Sequence, residues 1–208
     1  LIDGCYFSKA KYVMESSFIK FADFEKDFDL LCGELLKDIT VIQNEMKKDD
    51  TQTWRRLYVR SLVSVLESQT TFLRKHIAIT GELDYLGLSE EEAQILFKMN
   101  KDKKQVRYNK LSLEQYIVFV LEIFASVNHS FISIDKKSKG YNYLGVLIRT
   151  RHRITHPGSF PDLSISDKEI KICEQAFLGY QNMLVEVMDS SMKALKRTAE
   201  GLEKAFAA

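Results

Sequence analysis

The segment Arg149-Thr150-Arg151-His152-Arg153-Ile154-Thr155-His156-Pro157-Gly158 gathers three arginines, two histidines and one of the chain's two prolines within ten residues. Arginine stays protonated at any working pH, and its planar fork of donors fits the oxygens of a phosphate. Imidazole ordinarily titrates near neutrality and can take up or release a proton there. Together the two residue types suit attack on a phosphodiester, one stabilising charge and the other carrying a proton. His152 and His156 are also four positions apart, a spacing at which two imidazoles can share a metal ion from one helix face. No acidic residue falls inside the cluster to complete such a site. Three guanidiniums would repel a divalent cation, and Pro157 disturbs the second imidazole. Neither a metal nor another cofactor is expected.

The helix that carries these residues is predicted to begin near Lys139 to Tyr141. It must stop near Thr155, because Pro157 pushes His156 out of the right-handed helical region. Leu144, Leu147, Ile148 and Arg151 fall on one stripe of that helix, so Arg151 shares the apolar face. A charge there calls for a partner. Either Glu67 or Glu122 on a packed neighbour supplies it, or the face opens into a cleft or subunit interface where a phosphate binds. Arg149 and Arg153 turn away from Arg151 and read as solvated, with RNA backbone contact as the functional alternative. Phe160, Tyr141 and Tyr143 flank the cluster and could stack on bases, but core packing is the expectation for all three.

Other elements follow from periodicity. Phe24, Phe28, Leu31, Leu35, Ile39, Ile42 and Met46 recur every three or four residues from Phe21 onwards, the stripe of an amphipathic helix that closes in Lys47-Lys48-Asp49-Asp50. A second long helix carries Trp54, Leu57, Tyr58, Leu62, Val65, Leu66, Phe72 or Leu73, and Ile77, with Gly81 just beyond it. Capping boxes at Ser89/Glu92, Ser112/Gln115 and Ser166/Glu169 mark three further starts. The Ser112 helix, with Ile117, Val120, Leu121, Phe124, Val127 and Phe131, is apolar enough to lie centrally. The last helix, from about Asp167, keeps its stripe through Ile170, Cys173, Phe177, Tyr180, Leu184, Val187, Met188, Ser191 and Leu195. Its length exceeds what a small bundle needs, so its tail is expected to pair with another chain. Lys98 to Lys110 is lysine-rich and aperiodic and reads as an exposed loop.

These elements give an all-α, up-and-down bundle of four to six helices in one domain spanning residues 1–208, with long first, second and last helices. With 30 basic against 29 acidic residues and a formal net charge of +1, the chain lacks a broad nucleic-acid footprint, so such a partner must be gripped locally. Three widely spaced cysteines, Cys5, Cys32 and Cys173, indicate neither a disulfide framework nor a zinc site. No apolar run reaches membrane-spanning length, and no signal-peptide order is seen at residue 1, so a cytoplasmic protein with no membrane partner is expected. Single glycines exclude a phosphate-binding loop, and no Gly-x-Ser-x-Gly elbow occurs.

The order Arg151, His152, Arg153-Ile154-Thr155, His156 resembles the signature of HEPN domains: Arg, a polar residue, three residues, His. His152 stands where that family most often has Asn. The resemblance extends in outline to the bundle from about residue 15 to 200, with one long helix after the motif. It implies a homodimer in which two motifs meet in a composite cleft that cuts RNA without a metal ion. It further implies that Arg151 stabilises charge on the phosphate, that His156 moves the proton of the 2′-hydroxyl or of the leaving oxygen, and that His152 orients the pair or holds substrate. Toxin or defence roles beside an antitoxin protein are common in that family, as are noncatalytic scaffolds. Gly158 occupies the place of a tyrosine that some toxin members carry two residues after the histidine. The sequence therefore leaves two expectations: a metal-independent endoribonuclease acting on single-stranded RNA, or a noncatalytic helical interaction module.

Overall fold

A computed structural model describes the chain over residues 3–81, 89–97 and 111–207. Among the described residues six α-helices follow in order: α1 (Asp3–Lys48), α2 (Gln52–Gly81), α3 (Glu90–Phe97), α4 (Leu113–Val127), α5 (Lys139–Thr155) and α6 (Asp167–Ala207), with a short 3-10 turn at Phe160–Leu163. No strand occurs among the described residues. The expected all-helical bundle with long first, second and last helices is what is found. The loop expected at Lys98 to Lys110 lies outside the described residues.

Pairs across the bundle give its topology. Gln43 meets Tyr58 and Cys32 meets Gln69, so α1 and α2 run antiparallel. Arg153 meets Glu169 near the end of α5, while Gly140 and Gly179 approach near its start, so α5 and α6 are antiparallel as well. Gln52 bonds to Ile165 and Gln69 to Gln181, which sets α2 and α6 parallel. One continuous core results, drawing Phe24 and Phe28 from α1, Leu62 and Leu66 from α2, Phe124 from α4, Leu147 from α5 and Tyr180 from α6. Burial of such side chains, each contributing about 1.5–3 kcal/mol, is the main driving force for the assembly. At its centre the rings of Phe24, Phe72, His76 and Phe124 pack against one another, with His76 and Phe24 centroids 4.3 Å apart. Among the described residues no helix is long and apolar enough to cross a membrane.

The three capping boxes form. Ser89, Ser112 and Ser166 each receive the side chain three residues on at their own backbone N–H. The α6 stripe is buried as the periodicity requires, Cys173, Phe177, Tyr180, Leu184, Val187, Ser191 and Leu195 all facing inward. Of the alternatives Phe72 and Leu73, Leu73 is the fully buried residue, whereas Leu57 is partly exposed. Cys32 and Cys173 are free thiols, and burial pushes Cys173 up to about 12; Cys5 lies outside the described side chains.

One expectation for α4 fails. Phe131, counted in its stripe, is 93% exposed because the helix ends four residues earlier. Asn128 is the C-cap, His129 adopts a left-handed φ of 59°, and its N–H bonds to Ser126 O while Ser130 N–H returns to Ala125 O. This is a Schellman closure with histidine where glycine is usual. A Cβ in the left-handed region is disfavoured, and the His129 side chain is exposed. His129→Gly is therefore expected to stabilise the fold by about 0.5–1 kcal/mol, the steric relief exceeding the extra entropy of the unfolded glycine. A urea titration checks this; a lowered midpoint would assign the imidazole a contact of its own.

Candidate functional site

The basic segment forms about the last two turns of α5 and the turn that follows. Ser138 opens α5 by accepting from Tyr141 N–H, and His156 closes it as C-cap with φ −126° and ψ 63°, its N–H bonded to His152 O at 3.0 Å. Those backbone angles leave the right-handed helical region, which the residue before a proline is pushed out of. Leu144, Leu147, Thr150 and Ile154 seat the inner face of α5 in the core. Arg151 lies at the edge of that face and is 33% exposed, whereas His152 and His156 lie in the open. Their rings are 5.1 Å apart between centroids, tilted by 49°.

Arg151 has the partner anticipated for it. Its Nη2 is 3.6 Å from Glu67 Oε1 on α2, and Glu67 is itself 38% exposed. Glu122, the other candidate, is engaged elsewhere, accepting from Ile134 N–H and facing Lys136. The Arg151–Glu67 pair is long and partly exposed, so its contribution to stability is small, about 0–1 kcal/mol. An incoming phosphate could therefore displace the carboxylate at little cost. Beside Glu67, an open groove of about 350 Å³ runs along α2, lined by Leu31, Ser64, Ser68, Thr71, Phe72 and Lys75. Neither histidine lines it.

Arg149 and Arg153 have separate fates. Arg149 is exposed and folds back over Gly145. Arg153 is not simply solvated: Nη1 donates to the carbonyls of Asp162 and Ser164 at 2.9 and 2.8 Å, and Nη2 donates to Glu169 Oε1 at 2.6 Å. Its fork is spent on holding the turn after α5 against the start of α6. Phe160, expected in the core, is 83% exposed, because Ser159 and Asp162 cap a 3-10 turn that carries the ring outward. Tyr141 and Tyr143 are half-buried.

Four residues at the start of α2 complete this end of the molecule, and none was marked by the sequence. The Gln52 amide brackets Ile165, accepting from its N–H at 2.8 Å and donating to its carbonyl at 3.1 Å. Arg55 donates to Ile165 O and Asp167, Arg56 to Leu163 O, and Arg60 to Ile154 O at 2.8 Å. These acceptors lie 94 to 113 positions away, although Arg55 also pairs with nearby Asp50, so the sequence does not reveal the clasp. The only signal available was the density of donors over Gln52 to Arg60 just after a helix break.

Among the described residues no group of three or more His, Cys, Asp or Glu side chains is gathered to hold a metal. What the arrangement offers is a solvent-facing guanidinium and two exposed imidazoles on the same helix end. No family model, curated protein or solved structure matches the chain.

The carboxylates that fix the turn report on its charge. Burial alone would raise the Glu169 carboxyl, but hydrogen bonds from Ser166 and the charge and donors of Arg153 outweigh it and hold it below its ordinary value. Asp162 is likewise held down, first by the Ser159 hydroxyl, then by the Ser159 and Gly158 amides and the nearby Arg153. A carboxyl whose folded pKa is depressed stabilises the fold above its unfolded value and loses that contribution as pH falls through the folded one. Glu169→Gln is thus expected to lower the thermal midpoint at neutral pH, with the gap from wild type closing below about pH 4. Melting curves across pH test this, and a gap independent of pH would show that the charge on Glu169 does not matter.

Proposed function

We propose that this protein is a metal-independent endoribonuclease of the HEPN type, acting on single-stranded RNA. The observation that carries the reading is the placement of Arg151 and His156 at one open helix end, where a partly exposed carboxylate is the guanidinium's only ion-pair partner among the described residues. RNA supplies its own nucleophile, so positioning, a proton acceptor and a charge stabiliser suffice. In this mechanism His156 takes the 2′-hydroxyl proton as that oxygen attacks the adjacent phosphorus. Arg151 displaces Glu67 and holds the oxygens on which charge accumulates. His152, one ring away, orients the pair or returns a proton to the departing 5′-oxygen, leaving a 2′,3′-cyclic phosphate and a free 5′-hydroxyl. Arg149 remains available for a flanking phosphate, whereas Arg153 serves the fold. Two copies joined with their α5 ends facing would form a composite cleft, and an antitoxin protein is the partner such an activity would need in a cell.

A second reading has an observation of its own. Because Arg151 and Glu67 do pair, the same residues could serve only as an inter-helix contact in a noncatalytic interaction module. The two readings diverge on substitution. If the protein is a ribonuclease, labelled single-stranded RNA in EDTA is cleaved to cyclic-phosphate ends. Arg151→Ala and His156→Ala then each reduce the rate at least a hundredfold, the scale of losing a general base or an oxyanion donor, without altering the melting temperature. Absence of cleavage by the wild type, or cleavage indifferent to both changes, rejects the enzyme. Glu67→Gln sharpens the contrast. It frees Arg151 and should tighten RNA binding in the enzyme, whereas in an interaction module it would only weaken the fold by up to about 1 kcal/mol.

A further inference from the structure

We infer that Arg60, on α2, is a second phosphate-binding guanidinium of the same site, so that RNA is gripped between two helices rather than by α5 alone. The inference rests on the ribonuclease reading of Arg151 and His156. Arg60 is exposed, and its Nη2 donates at 2.8 Å to the carbonyl of Ile154, which lies between Arg151 and His156. That bond uses one of the five N–H donors of a guanidinium. Arg55, Arg151 and Arg153 all face carboxylates, but Arg60 has no carboxylate partner among the described residues. Its charge is therefore uncompensated at the place where an anion would bind. Arg60 and Glu67 are seven positions apart, two turns of one helix face, and they bracket the end of α5 from Ile154 to Arg151.

The end of a helix is ordinarily a poor place for a phosphate, since its last carbonyls carry partial negative charge. Here Arg60 occupies one of those carbonyls, donating to Ile154 O, while Thr155 Oγ1 donates to Arg151 O at 2.7 Å and His156 N–H to His152 O just before it. The charge of Arg60 thus offsets part of the negative rim at this end. Arg60 thus has two tasks: it neutralises a carbonyl that would repel the substrate, and it presents its remaining donors to the phosphate.

The test is equilibrium binding of a short 2′-O-methyl oligouridylate, which lacks the nucleophile and cannot be cut, to the full chain across a range of salt. Arg60→Gln keeps a donor for the Ile154 carbonyl but removes the charge. We expect it to weaken binding about tenfold at low salt and to flatten the log–log salt slope by about 0.7, the value for one phosphate contact on a single strand, with the melting temperature unchanged. If Arg60→Gln melts early, its salt slope is measured at a temperature below its melting transition, where a slope flattened by about 0.7 supports the assignment and a wild-type slope refutes it. Binding that falls in Arg151→Ala but is untouched in Arg60→Gln overturns the inference and leaves the ribonuclease reading standing. Binding that depends on Arg60 but not on Arg151 supports the anion site and removes Arg151 from it. A wild type that does not bind the oligonucleotide overturns both.

Discussion

The end of α5 is fixed by guanidinium donors to backbone carbonyls, and the disposition of every candidate residue depends on it. A helix that stops at a proline leaves carbonyls without partners and a connecting turn with nothing to hold its course. Arg153 answers this from within α5, taking two carbonyls of the turn and a carboxylate of α6. Arg55, Arg56 and Arg60 answer it from α2. Arginine suits the task because its rigid fork can satisfy several acceptors while its charge stays hydrated. Lysine would offer a point charge and a floppier stem.

Seen this way, the five basic residues of the segment do not form one patch. Arg153 belongs to the scaffold, Arg149 to the open surface, and Arg151 with the two histidines to the edge between them. The Arg151–Glu67 contact is the most informative feature of that edge, because its length and partial exposure make it weak enough to be exchanged. A sealed pair would have cost the protein several kcal/mol to open. The pair seen here leaves the guanidinium oriented but available.

Much of the bundle was legible because it follows from local rules. The end of α5 came from a proline stop, and the buried face of α6 from its period. The three capping boxes are self-contained within four residues each. What escaped was tertiary. The stripe was read only from Phe21, yet α1 extends back to Asp3. Phe131 continued the period of α4, but Asn128 and a left-handed His129 had already turned the chain. Phe160 looked like core by its type, while a capped 3-10 turn aims it outward. At the site, residue types and spacing pointed to Arg151, His152 and His156, and Glu67 was one of two partners foreseen. Arg153 was misjudged because its acceptors are carbonyls, which carry no trace in a sequence. Gln52 through Arg60 went unmarked for the same reason.

The clasp between Gln52 and Ile165 ties the first turn of α2 to residues that follow the motif, closing a loop of more than a hundred residues. Helices α2 to α5 lie inside that loop, and α1 and α6 pack on them from outside it. The end of α5 is consequently no detachable lid or tail; it is tied to α2 and to the start of α6 and cannot loosen without its neighbours. Cutting the chain between α2 and α5 would separate the hand from the wrist, and neither fragment would keep the grip.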